Sequence, residues 1–61
     1  MESRSVIRLL KANGWFEVNE VGSHKQFKQA TKKGRVTVMH PMKDIPYGTL
    51  RSIHIQAGLK F

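Results

Sequence analysis

With 61 residues and no cysteine, this chain has to fold around one small apolar core that no disulfide bond supports. A domain of this size buries only about 60% of the surface that its unfolded chain exposes. The core therefore leaves a thin margin of stability. The sequence has no apolar run long enough for a membrane-spanning helix, and its first residues lack the apolar segment of a secretory signal. We expect one cytoplasmic domain over residues 1–61.

The charge balance narrows the class of partner. Eleven Lys and Arg residues stand against four Asp and Glu residues, which gives a formal net charge of +7. A field of this strength favours polyanions, which are nucleic acids, anionic membranes or acidic proteins. A soluble protein with a merely basic surface is the plainer alternative. The excess is large and spread along the chain, so we favour binding to a polyanion.

Apolar spacing predicts a first helix over residues 5–13. Ser3 or Ser5 would cap its start, and Gly14 is placed to end it in the left-handed conformation. Three apolar residues recur at the i, i+3, i+4 spacing of one helical face. They are Val6, Leu9 and Leu10.

A second helix is predicted near the end of the chain. Pro46 or Tyr47 would open it, because Pro suits the first helical turn, and it would run to about Ala57. Gly58 then resembles a C-terminal glycine cap, and Tyr47 is expected to pack against the domain. One face of this helix is formed by Leu50, Ile53, His54 and Ala57.

Three strands are predicted between the helices, over residues 15–21, 23–30 and 35–40. Residues 31–34 form a hairpin loop that ends in glycine. In the first strand, Phe16 and Val18 are expected to point inward, whereas Trp15 suits either the core or stacking on a nucleic-acid base.

A four-residue hairpin loop sets the predicted register of the last two strands. Phe27 lies opposite Val38 in this register, and Val36 joins them on the side that faces the core. The other side would carry His24, Gln26, Lys28, Thr37 and Met39.

The order of the elements predicts a two-layer α+β domain, α-β-β-β-α. A three-stranded antiparallel sheet this short can bury one face only, so both helices would cover the same face. The opposite face stays open, with His24 on it or at its rim.

The number and spacing of the ionisable residues argue against the common metal-dependent catalytic sites. The four acidic residues form no obvious pair, as a two-metal nuclease would require, and His24, His40 and His54 lack the spacing of zinc ligands. We therefore expect no metal or other cofactor. Metal-free cleavage of RNA stays open, because RNA supplies its own nucleophile, the 2′-hydroxyl. Histidine suits the proton transfers of such a reaction, since its ordinary pKa lies near 6.5.

The segment around His24 combines the groups that this reaction needs. A flexible glycine, a hydroxyl and nearby cations could hold a phosphate beside the imidazole. The candidate RNA contacts are Gly22, Ser23, Lys25, Lys28, Lys32, Lys33 and Arg35. A lone strand histidine is more often an ordinary surface residue. A non-catalytic RNA-binding module, or a basic subunit that binds an acidic protein, would fit the composition as well.

Several blocks of the chain, in this order and spacing, resemble the HicA family of toxin–antitoxin mRNA interferases, and the resemblance covers nearly the whole chain. The blocks are Gly22-Ser23-His24, Gly34-Arg35-Val36-Thr37-Val38 with His40 soon after, Gly48-Thr49-Leu50-Arg51-Ser52-Ile53, and Gln56-Ala57-Gly58-Leu59.

This resemblance implies a fold similar to a double-stranded RNA-binding domain. It also implies a bacterial or archaeal ribonuclease that cleaves mRNA, arrests growth and is blocked by a HicB-type antitoxin. The family's catalytic histidine falls on His24. His40 matches a second frequent histidine, with a structural or substrate-facing role.

Overall fold

A computed structural model describes residues 1–59, which form two helices and one antiparallel sheet in the order α-β-β-β-α. The strands lie side by side in chain order, so β2 is central. The elements are α1 (Ser3–Ala12), β1 (Phe16–Val21), β2 (His24–Lys28), β3 (Val36–Met39) and α2 (Tyr47–Ala57).

The apolar core lies between the two helices and one face of the sheet. Phe27, Val36 and Val38 supply the sheet's share, and each is fully buried. This confirms the predicted two-layer α+β architecture and the predicted inward face of β2 and β3. The helices and loops complete the core with Val6, Leu10, Trp15, Ile45, Ile53 and Ala57.

The start of α1 differs from the prediction. The helix begins at Ser3 rather than residue 5, and Glu2 occupies the N-cap position without a side-chain cap. Ser3 is buried in the first turn, where its hydroxyl accepts a hydrogen bond from Met42 N–H at 2.9 Å. The proposed capping by Ser3 or Ser5 is therefore wrong, because the Ser3 oxygen is held by the loop before α2.

Strand β1 presents the opposite faces from those predicted. Trp15, just before the strand, is buried, so alternation turns Phe16 away from the core. The register with β2 then shifts between Glu17 and Asn19, which leaves Val18 as an extra residue in a β-bulge. Phe16 and Val18 are exposed. The prediction that they point inward is wrong, because the position of Trp15 sets the alternation.

The predicted register between β2 and β3 is wrong by two residues. Phe27 pairs with Val36 rather than with Val38, which instead lies opposite Lys25. Both strands are shorter than predicted, so the connection spans residues 29–35 instead of four residues. A shift of two residues preserves the faces, since side chains alternate with a period of two. The separation into a buried and an open side was therefore correct.

Helix α2 agrees with the prediction in its bounds and its buried face. Pro46 is the N-cap, and Gly58 ends the helix with a φ of +70°, a backbone conformation that favours glycine. Tyr47 is the exception. Its side chain is exposed, so the prediction that it packs against the domain is wrong.

Candidate active site on the open sheet face

The β1–β2 turn places His24 at one end of the sheet. Two residues, Gly22 and Ser23, connect Val21 to its partner His24. Gly22 has a φ of +59°, and glycine at the first position of a two-residue hairpin loop is typical of a type II′ turn. His24 is therefore the first residue of β2 and its side chain is exposed.

The side chains on the uncovered side of the sheet surround His24 with a defined set of groups. We call this surface the open face. Directly opposed residues share a face, and residues alternate along each strand, so the pairings assign its members. They are Phe16, Asn19 and Val21 from β1, His24, Gln26 and Lys28 from β2, and Arg35, Thr37 and Met39 from β3 and the residue before it.

The open face consists of rows that cross the strands. In the first row, His24 lies between Val21 and Met39, which are both exposed apolar residues. In the second row, Gln26 lies between Asn19 and Thr37 and thus adds amide and hydroxyl groups.

A third row lies at the end of the sheet away from His24. Phe16 pairs with Lys28 there. Arg35 extends over the same face, because its Nη1 donates a hydrogen bond to Gln26 Oε1 at 2.6 Å. Lys28 and Arg35 are therefore the two cations that the structure places on the same face as His24.

Carboxylates are kept away from the open face. Glu17 and Glu20 lie on the other side of the sheet, where both accept hydrogen bonds from the Lys25 amine at 3.4 Å. Desolvation lowers the pKa of Lys25, but the hydrogen bonds and negative charges of the two glutamates outweigh it and raise this pKa above its ordinary value.

The other two acids, Glu2 and Asp44, lie at the N-terminal end of α1. Glu2 is the N-cap residue, and Asp44 pairs with the terminal amine at 3.2 Å. In the part of the chain that the structure describes, the open face thus combines an imidazole with two cations and contains no carboxylate.

The remaining predicted RNA contacts lie in different places. Lys25 is on the far side of the sheet from His24, held by its two glutamates. Lys32 reaches the C-terminal end of α2, where its amine would meet a side chain added at Gly58. Lys33 is exposed in the β2–β3 connection. The structure therefore brings only part of the predicted set to the face of His24.

His40 follows β3 directly, and its side chain contacts the first turn of α1. Its Nδ1 lies 2.7 Å from Ser3 Oγ, and that oxygen also accepts the Met42 N–H. His40 N–H donates to Ser23 O at 2.7 Å, which ties it to the β1–β2 turn. A pocket of about 240 Å³ opens beside this imidazole, between the start of α1 and Met42. His40 thus connects the turn that carries His24 to the first turn of α1.

Among residues 1–59, neither a cluster of metal-ligating side chains nor a membrane-spanning helix is present. No three side chains of His, Asp or Glu come close enough there to hold a metal ion. Neither helix has the length and the apolar composition that are needed to cross a membrane.

Comparison with known proteins places the chain in a family. Residues 3–59 match the family model described as the HicA toxin of bacterial toxin–antitoxin systems. The chain belongs to the HicA toxin family. A solved toxin–antitoxin complex from Streptococcus pneumoniae contains a similar chain with a TM-score of 0.81 and 30% sequence identity, and the match covers 97% of this chain and 98% of that one. No curated protein matches.

Sequence reasoning missed the three members of the open face that come from β1. Phe16 was assigned to the core, and Asn19 and Val21 were not assigned to a face. The neighbouring Trp15 is the signal that could have placed Phe16, because burying this large indole would turn Phe16 outward. The bulge at Val18, which returns Val21 to the open face, has no comparable signal in the sequence.

Proposed function

We propose that this HicA-family toxin is a cytoplasmic, metal-independent endoribonuclease that cleaves mRNA, with His24 as its catalytic residue. The observation that carries the proposal is the exposed imidazole on a sheet face that has, among residues 1–59, two cations and no carboxylate. An RNA backbone is a polyanion, so this face attracts the substrate towards the one side chain suited to moving protons at neutral pH.

The reaction requires two proton transfers and stabilisation of charge. The 2′-hydroxyl loses its proton and attacks the adjacent phosphorus, and the bond from phosphorus to the 5′-oxygen breaks. The leaving 5′-oxygen gains a proton, and the other product carries a 2′,3′-cyclic phosphate. His24 carries one or both proton transfers. Lys28 and Arg35 hold the phosphate backbone beside it, which positions the substrate and offsets the developing negative charge.

The open face also suggests how a protein partner would inhibit the toxin. We propose that a HicB-type antitoxin blocks the toxin by covering the open face, with acidic side chains against Lys28 and Arg35. The solved relative comes from a toxin–antitoxin complex, which supports an antitoxin as partner. A structure of the complex in which His24 stays open to solvent would contradict this mode of inhibition.

Replacement of His24 tests the catalytic assignment. We expect folded His24→Ala to cleave RNA about 10² to 10⁴ times more slowly than the parent, the usual contribution of a general acid or base. Affinity for an all-deoxy strand, which lacks the nucleophile, should change little. EDTA should leave the parent rate unchanged, and the products should carry a cyclic phosphate or its hydrolysis product.

The matched control is His54→Gln, which removes a histidine from α2 and should cleave at the parent rate. Circular dichroism verifies that each variant is folded. Near-parent cleavage by His24→Ala would place the catalytic group elsewhere, with His40 as the next candidate. Binding of RNA without any cleavage by the parent would instead indicate a non-catalytic RNA-binding module.

A further inference from the structure

Phe16 is a large apolar side chain that the fold leaves outside its core. Its side chain is 51% exposed, although a 61-residue chain has few apolar residues with which to build a core. It also lies on the open face, directly opposite Lys28. Proteins that bind single-stranded nucleic acids often place an aromatic ring beside a cation on an uncovered sheet. A base stacks on the ring while the cation binds a phosphate.

We propose that Phe16 is a stacking platform for one base of a single-stranded RNA and that Lys28 binds the phosphate next to that base. This inference rests on the proposed function. It makes Phe16 a residue that binds the RNA substrate at a distance from the cleaved bond. Its ligand is an unpaired base. A base within a duplex is stacked on its neighbours on both sides and cannot offer a face to the ring.

The strand geometry sets where this base lies relative to the cleaved bond. Lys28 follows His24 by four residues along β2, a distance of about 13 Å at about 3.3 Å per residue. A stacked strand advances about 3.4 Å per nucleotide, so this distance corresponds to at most about four nucleotides, and to fewer in an extended strand. The stacked base therefore belongs to the same short segment of RNA as the scissile phosphate.

The groups between the two positions also suit a nucleic acid. Asn19, Gln26 and Thr37 form the row that separates Phe16 from His24, and their amide and hydroxyl groups can bond to base edges and to the 2′-hydroxyl. Within residues 1–59, the open face has two cations and no carboxylate, which suits RNA and an acidic protein alike. The row of amide and hydroxyl groups matches base edges and the 2′-hydroxyl, so RNA is favoured as the occupant of the Phe16 position.

The test measures binding in the His24→Ala background, where RNA stays intact. Fluorescence anisotropy follows a labelled oligoribonucleotide that contains the parent's cleavage site. Phe16→Ala should weaken binding about 5- to 100-fold, the loss expected for one stacked base. Phe16→Tyr should retain the affinity, since it keeps the ring. Tyr47→Ala, which removes an exposed aromatic ring from α2, is the matched control and should bind like the background protein.

A second arm separates stacking from a general effect on the fold. Nucleotides near the cut are replaced, one at a time, by nucleotides that lack a base. One such replacement, within four nucleotides of the cleaved bond, should weaken binding to the protein that has Phe16. The same replacement should have no further effect on the Phe16→Ala protein.

Three outcomes would overturn the inference. Phe16→Ala could bind RNA as tightly as the background protein does. Alternatively, every abasic replacement could weaken binding to the protein that has Phe16 by the same factor. Phe16→Ala could also lose affinity for the antitoxin alone, which would make Phe16 part of a protein interface. Parent cleavage is measured separately. A parent that binds RNA through Phe16 but does not cleave it would refute the proposed function and leave the stacking assignment in place.

Discussion

The two faces of the sheet use the same residue types in opposite ways. On the covered face, Phe27 is fully buried, and Lys25 is held by two glutamates. On the open face, Phe16 is half exposed, and none of the described residues places a carboxylate on the same side of the sheet as Lys28. The covered face therefore uses its aromatic ring and its cation for stability, whereas the open face leaves both available to a ligand.

The two histidines near the β1–β2 turn differ in the same way. His40 points into the helical layer and is hydrogen-bonded to Ser3, whereas His24 is exposed on the open face. The hydrogen bond to Ser3 holds His40 against α1, and the more exposed His24 is the histidine that we propose meets RNA.

The largest expected effect is a difference in stability between two variants of the sheet, Phe27→Ala and Phe16→Ala. Phe27→Ala should destabilise the protein by about 3–5 kcal/mol, because it removes a fully buried ring and leaves a cavity. Domains of this size rarely have more than about 3–5 kcal/mol of stability, so this variant should be largely unfolded. Phe16→Ala should cost less than about 1 kcal/mol. Urea unfolding followed by circular dichroism measures both, and equal losses would refute the distinction between the faces.

A smaller effect is expected at the serine that holds His40. Ser3→Ala should lower the free energy of unfolding by about 1–3 kcal/mol, because the part-buried Met42 N–H and His40 Nδ1 both lose their partner. Ser5→Ala, two residues along the same helix, is the control and should stay within about 0.5 kcal/mol of the parent. Thermal unfolding compares the two variants. A Ser3→Ala protein as stable as the control would remove the argument for a structural His40.

The smallest effect concerns the two lysines of β2. Binding of single-stranded RNA should weaken with salt at a slope of about −0.7 in log affinity against log salt for each phosphate contact. Lys28→Ala should reduce the steepness of this slope by about 0.7. Lys25→Ala should leave it unchanged, because the Lys25 amine is engaged by glutamates on the other face. Titrations at several salt concentrations measure the slopes. An equal reduction in both variants would show that RNA reaches both faces.

Local patterns were enough to predict the elements and the covered face of β2 and β3. The face assignment survived a register error of two residues, because side chains alternate with the same period. The turn before His24 was predicted from Gly22, and the exposure of His24 followed from its place in that alternation. In β1 the same reasoning failed, since Trp15 and Phe16 are both aromatic neighbours and only one of them can face the core.

The sequence by itself determined the class of the fold, the basic character of the chain and the histidine that reaches the surface. These depend on residue type and on periodicity, which are local properties. Tertiary structure alone decided that Arg35 extends over the face of His24 and Lys28, that Phe16 joins them, and that His40 is held by Ser3. Each of these depends on packing between residues that are distant in the chain. The burial of Trp15, the bulge at Val18 and the contact of the Met42 loop with α1 fix those positions, and no local pattern encodes them.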